Sequence, residues 1–265
     1  MFRFTLPAAI LLGFTLTPAQ AEDFMATLPA TAPAGVTATE FAAGDDTRAR
    51  VTPEEVGDAD SFGRNVQWIG LLSGFASLQA DCSAPPGEPA PENCVTLLPQ
   101  PQVTQFTLTD IASITIPGRS SRSLFCHWQT PLVTYIASNN TVDRQTMQIR
   151  VTPVYRIENE VLNEAGVIDP VTGLPLGGSF EVPLSSVNVL QGIEPGELQR
   201  NDVRDTRTCI AGMVSKTNLQ ATYGLTDAQV RRFFRRPTTI TMSLTGAAAM
   251  LEVGVINYGT RFLGD

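Results

Sequence analysis

His127 is the only histidine in the chain, so Ser-His-Asp or Cys-His nucleophilic catalysis would have to pass through its imidazole. It lies in Leu124-Phe125-Cys126-His127-Trp128, a strand-like run whose alternation puts it on the face opposite Cys126. The plainer expectation is a surface or packing histidine beside a disulfide, and its replacement by alanine then leaves function intact. The patterns G-x-S-x-G, G-x-G-x-x-G, H-E-x-x-H and S-x-x-K are all missing. No cofactor is expected from such a sequence.

Carboxylates offer a second chemistry. Glu158, Glu160, Glu164 and Asp169 crowd one stretch, and two carboxyl groups at a suitable separation are enough for glycoside hydrolysis. Charged loop residues are more often simply solvated. Arg231, Arg232, Arg235 and Arg236 form the densest basic cluster; on a helix, Arg231, Arg232 and Arg235 share a flank beside a Val230, Phe233 and Phe234 stripe. They are the candidate site for a phosphate or carboxylate, against the alternative of a solvated face whose charges suit a helix C-terminus. Asp58 and Asp60 begin like a calcium loop, but Phe62 and Ile69 stand where ligands are needed, and no metal is expected. Asn139-Asn140-Thr141 is a glycosylation sequon on a turn.

Cys82, Cys94, Cys126 and Cys209 predict two disulfides if the chain is exported, because paired cysteines persist in oxidising compartments. Three connectivities are open. Cys82 with Cys94 is favoured, since the Pro-rich segment between them has no periodicity of its own, and closing such a loop stabilises by roughly 3 kcal/mol. Cys126 with Cys209 would then form a long-range staple. Neither C-x-x-C nor a pair of histidines supports a metal site instead.

Export is itself predicted by the first 21 residues. Arg3 supplies a basic start, Leu6 to Leu16 a short apolar run, and Ala19-Gln20-Ala21 the small residues of a cleavage site. The run is roughly eleven residues, against the roughly twenty that a spanning helix needs. The expected organisation is a signal peptide over 1–21, an extended Ala/Thr/Pro-rich arm over 22–50, and one β-rich domain over 51–265 in a secreted or periplasmic protein. The formal charge of −8 argues against nucleic acid as a partner, since phosphate neutralisation dominates such binding. No transmembrane helix is expected in the mature chain: Ile240 to Ile256 is apolar, but it carries Glu252 and repeated Thr and Ser.

The elements that must hold these residues are mostly strands. Met147 to Ile157 alternates apolar with polar residues, and Pro153 within it predicts a sheet edge or a bulge. Phe106 to Ile116, Leu124 to Trp128, Leu132 to Ile136, Phe180 to Leu184 and Val187 to Leu190 read as further short strands, and Val66 to Phe75 as a buried one. Two C-terminal strands are expected to join near Gly246 to Ala249. Glu194 to Lys216 suits a helix or an irregular crossing. Thr226 and Gln229 form a capping box that opens a helix ended by Pro237. The expected fold is all-β or β-dominated, a two-sheet β-sandwich with a helical insertion near residues 192–237. The expected role is that of an exported, non-catalytic binding or structural component of a cell envelope, meeting an unknown envelope or extracellular partner. The alternative is a secreted, glycosidase-like hydrolase using paired carboxylates.

Overall fold

The computed structural model of the protein describes residues 67–84, 86–208 and 212–265. The chain divides into two units, Met1–Arg50 and Val51–Asp265, and the described residues belong to the second. The signal sequence, the arm, Asp58, Asp60 and Cys209 lie outside the described residues.

Among the described residues, twelve strands, β1 Gln67–Gln79, β2 Cys94–Thr96, β3 Thr104–Ile116, β4 Leu124–Ser138, β5 Gln145–Glu158, β6 Ser179–Pro183, β7 Val187–Ile193, β8 Leu198–Arg204, β9 Arg207–Thr208, β10 Val214–Ser215, β11 Thr238–Ala249 and β12 Leu251–Gly264, make two packed sheets. The first runs β2-β1-β12-β4, with β8, β9 and β10 sharing the outer edge of β4. The second runs β3-β11-β5, with β6 and β7 sharing the outer edge of β5. All pairings are antiparallel except β1 with β2. This is the strand-dominated sandwich that the alternating pattern predicts. Among the described residues the helical insertion is smaller than expected, with α1 Lys216–Ala221 and α2 Asp227–Arg235, and a 3-10 turn lies apart from it at Glu160–Asn163.

Several expectations need correction. Leu124 to Trp128 and Leu132 to Ile136 are one strand, β4, running through Pro131. Pro153 lies in a central strand, β5, not at an edge. Both cases have one cause. Val151 pairs with β7 and Val154 with β6, so the outer neighbour breaks beside Pro153, whose carbonyl accepts from Leu184 N across that break. A residue's N–H and C=O point to the same side of a strand, so the donor that proline lacks would have faced the break. Pro131 repeats the device, because its outer neighbour breaks between Arg204 and Arg207. Among the described residues between Ile193 and Lys216 the regular elements are strands rather than helix, since β8, β9 and β10 complete the open edge of β4. Finally, β11 and β12 join at Met250, which takes a left-handed φ of 61°, and the chain changes sheet there.

The core lies between the inner faces. Leu72, Ala76 and Leu78 of β1, Ile256, Tyr258 and Phe262 of β12, and Val133 and Tyr135 of β4 are buried, as are Ile149, Val151, Tyr155 and Ile157 of β5 and Ile240, Met242 and Leu244 of β11. β1 is therefore buried on one face only, and its Trp68, Leu71 and Phe75 are exposed. Cys82 and Cys94 are bonded. Cys126 is also disulfide-bonded, while its expected partner Cys209 lies outside the described residues.

Candidate functional site

Local sequence builds α2. Thr226 caps it, with Gln229 N donating to Thr226 Oγ1 at 3.3 Å and Thr226 N to Gln229 Oε1 at 2.8 Å, the reciprocal box expected from the spacing. Its apolar stripe, Val230, Phe233 and Phe234, is buried, and Phe125 of β4 packs edge-on against Phe234 at 5.3 Å between ring centres. That docking leaves the four arginines on the solvent side.

They do not act together. Arg232 is bonded to Glu164 (Nε to Oε1 3.1 Å) and Arg236 to Glu160 at 2.7 Å. Arg231 and Arg235 instead line a cleft of about 430 Å³ with Arg119, Ser121, Arg122 and Phe234. Arg119 and Arg122 belong to the β3–β4 loop, which sequence reasoning read only as a Pro117-Gly118 turn. The spacing Gly118-Arg119-Ser120-Ser121-Arg122 was the available signal.

The loop is held against the end of α2. A Cβ at Gly118 would collide with the Arg235 carbonyl oxygen, so only glycine permits the approach. Arg119, at φ 69°, donates its N–H to Phe234 O at 2.7 Å and satisfies a helix-terminal carbonyl. The far side of the loop wraps the Asp265 carboxylate. Ser121 Oγ (2.8 Å), Arg122 N (3.2 Å) and Ser123 N (3.0 Å) donate to Oδ1, and Ser123 Oγ donates to Oδ2. Burial pushes that carboxyl upward, but the hydrogen bonds from Ser123, Ser121 and the two backbone amides outweigh it and hold it below the ordinary range.

Among the described residues, none of Arg119, Arg122, Arg231 and Arg235 has an ion-pair partner. Four arginines thus line one opening of a chain whose formal charge is −8. Guanidinium groups present planar forks that match phosphate and carboxylate, so the cleft is suited to holding an anion.

Of the predicted carboxylate cluster, Glu158 and Glu160 line a second cleft, of about 390 Å³, with Asn159, Asn163 and Ser179, while Glu164 and Asp169 do not line it. Glu158 pairs with Arg156 at 3.1 Å, Glu160 with Arg236 and Glu164 with Arg232. The hydrogen bond from Arg232 holds the Glu164 carboxyl below its ordinary value, and the Val171 backbone amide does the same for Asp169. A general acid needs the opposite shift. Asn139 of the sequon is fully buried, with its amide donating to Asp143 O and Ile193 O and its oxygen accepting from Thr141, so it is a structural residue. Among the described residues, no group of three or more His, Cys, Asp or Glu is placed to hold a metal ion, and no helix is long and apolar enough to cross a membrane.

His127 is inward-facing and buried, on the face opposite Cys126 as alternation predicts. Burial pushes its pKa down to about 4. Its folded value lies below the unfolded one, near 6.5, so the unfolded chain takes up the proton first as the pH falls. Stability should therefore decline between pH 6.5 and 4 by at most about 3 kcal/mol. Urea midpoints at pH 7 and pH 4.5 in the wild type and in His127→Gln check this. An equal decline in both proteins would remove the assignment to His127.

No protein-family model matches this chain, and no curated protein sequence matches it either. The functional reading accordingly rests on the site's own chemistry.

Proposed function

We propose that this is an exported, non-catalytic β-sandwich protein of the cell envelope that acts by binding, and that the cleft between α2 and the β3–β4 loop receives an anionic group of its partner. The observation that carries this reading is that Arg119, Arg122, Arg231 and Arg235, unpaired among the described residues, line one cleft beside two ion-paired arginines, Arg232 of α2 and Arg236 at its C-cap. Cations that merely kept a helix soluble would not need two more from a distant loop pressed against the helix end. The cleft supplies positive charge and an aromatic wall, while its one hydroxyl, Ser121, is buried and bonded to Asp265, which suits retention of an anion rather than its transformation.

Titration of the full chain with pyrophosphate tests it. A saturable heat and a raised Tm are expected, both weakening with added salt. Arg231→Glu with Arg235→Glu should weaken binding at least about tenfold, corresponding to the loss of charge-assisted contacts. Arg232→Glu with Arg236→Glu, on the ion-paired flank, should have a much smaller effect. Equal losses in the two double variants, or the absence of saturation, would dismiss the cleft as the site. Export is tested separately by the mass of the protein recovered from outside the cytoplasm, expected to begin at Glu22.

A further inference from the structure

The outer face of the first sheet carries three successive cross-strand rows over β1, β12 and β4. They are Leu71–Arg261–Trp128, then Ser73–Gly259–Thr130, then Phe75–Asn257–Leu132. The alternate positions, Leu72, Thr260 and Gln129 among them, are buried, so all nine residues point outward. The middle row is low. A Cβ added at Gly259 would meet only Thr130 Oγ1, at 3.1 Å. The two flanking rows stand four residues apart along each strand, roughly 13 Å, and bear larger side chains. A trough therefore crosses the strands, walled by Trp128 and Leu71 on one side and by Phe75 and Leu132 on the other. The walls are open to solvent, with Trp128 41%, Phe75 46% and Leu71 51% exposed.

Charge on this face is opposite in sign to that of the whole chain. Arg261 lies 5.8 Å from the centre of the Trp128 ring, and Leu132 pairs with Arg204 of β8. There the face continues into a cleft of about 470 Å³ lined by Leu132, Thr134, Arg200, Asn201, Asp202 and Arg204. Three arginines thus face one aspartate along the trough and its extension.

These features select the occupant. An extended peptide crossing the strands would find no unpaired main chain beneath it and would press its own amides against Leu71, Phe75 and Leu132. A pyranose chain presents C–H faces to aromatic rings and hydroxyls to Ser73, Thr130 and Asn257, and its carboxylates complement the arginines. We propose that this trough binds an extended acidic polysaccharide, with sugar rings stacked on Trp128 and Phe75 and uronate groups at Arg261 and Arg204.

Affinity electrophoresis of the full chain in gels containing polygalacturonate, with dextran as the neutral control, tests it. Retardation by polygalacturonate alone is expected. Trp128→Ala and Phe75→Ala, both at exposed positions, should each weaken it roughly tenfold, about the effect of one lost aromatic contact. Equal retardation by dextran, or none for folded protein, would overturn the proposal. So would retardation abolished by Arg231→Glu with Arg235→Glu but untouched by the two aromatic variants, which would assign the polyanion to the arginine cleft. A concentration-dependent dimer that Trp128→Ala disperses would instead make the face a contact between copies.

Discussion

Phe233→Ala is expected to destabilise the protein by roughly 3–5 kcal/mol, the usual cost of emptying a fully buried aromatic site. Phe233 has no exposed surface, and its ring centre lies 5.3 Å from that of Phe234 and 6.2 Å from that of Phe125. Neither neighbour can collapse into the gap without releasing its own contact, because Phe125 is fixed in β4 and Phe234 forms the wall of the arginine cleft. Urea denaturation with an unchanged m-value measures the loss. A change below about 1 kcal/mol would mean that α2 does not depend on this ring for its docking. Pyrophosphate binding should weaken in the same variant, since the helix carries two of the four cleft arginines.

The second large effect is expected from Asn159→Ala. The buried Asn159 amide donates to Phe233 O (3.2 Å), Pro237 O (3.2 Å) and Thr238 Oγ1 (2.9 Å), while its oxygen accepts from Val161 N at 3.1 Å. One side chain thereby ties the end of β5, the 3-10 turn, the last turn of α2 and the start of β11. Alanine leaves Val161 N and Thr238 Oγ1 without this buried partner, whereas Phe233 O keeps Arg236 N and the Pro237 carbonyl is only partly buried, so at about 1–3 kcal/mol for each buried group left unsatisfied a loss of roughly 3 kcal/mol is expected. Hydrogen exchange at Val161, Arg235 and Thr238 should accelerate more than exchange in β1 and β12. Uniform acceleration across the two sheets would show global loss rather than release of this junction.

Both residues act on the element that carries the candidate site, which shows how the fold positions it. The sandwich is made by long central strands, β4 with β12 and β5 with β11. The site is made at one end, where a short helix meets a glycine loop and the Asp265 carboxylate holds that loop from behind. At alkaline pH a second weakness is expected in the centre. Burial raises the Tyr155 pKa to about 12, against the hydrogen bonds from Thr260 and Gln129 that oppose it. The unfolded chain would lose this proton first, near pH 10, so stability should fall as the pH rises from 10 towards 12.

Features that depend on neighbours in sequence were legible. The Thr226–Gln229 box, the Val230, Phe233 and Phe234 stripe and the Cys82–Cys94 bond span three to twelve residues, and their physics is complete within that distance. Strand alternation was legible for the same reason, because a pleat repeats every two residues whatever lies beyond it. Pro153 was misplaced because a proline reports a missing donor but not which neighbour is missing. The answer lies at Leu184, outside the strand. Residues 194–215 were misread because β8 to β10 have no apolar alternation strong enough to declare themselves, and they become strands by completing the edge of β4.

The arginines divide along the same line. By itself the sequence determined that Arg231, Arg232 and Arg235 share a flank of one helix, with Arg236 at its end, since helical periodicity and the buried stripe settle that locally. Only the tertiary structure decided that Glu160 and Glu164 neutralise two of them while Arg119 and Arg122 join the other two, because charge pairing depends on distances through space, and the residues that set those distances are separated in the chain by the whole of β4 to β10.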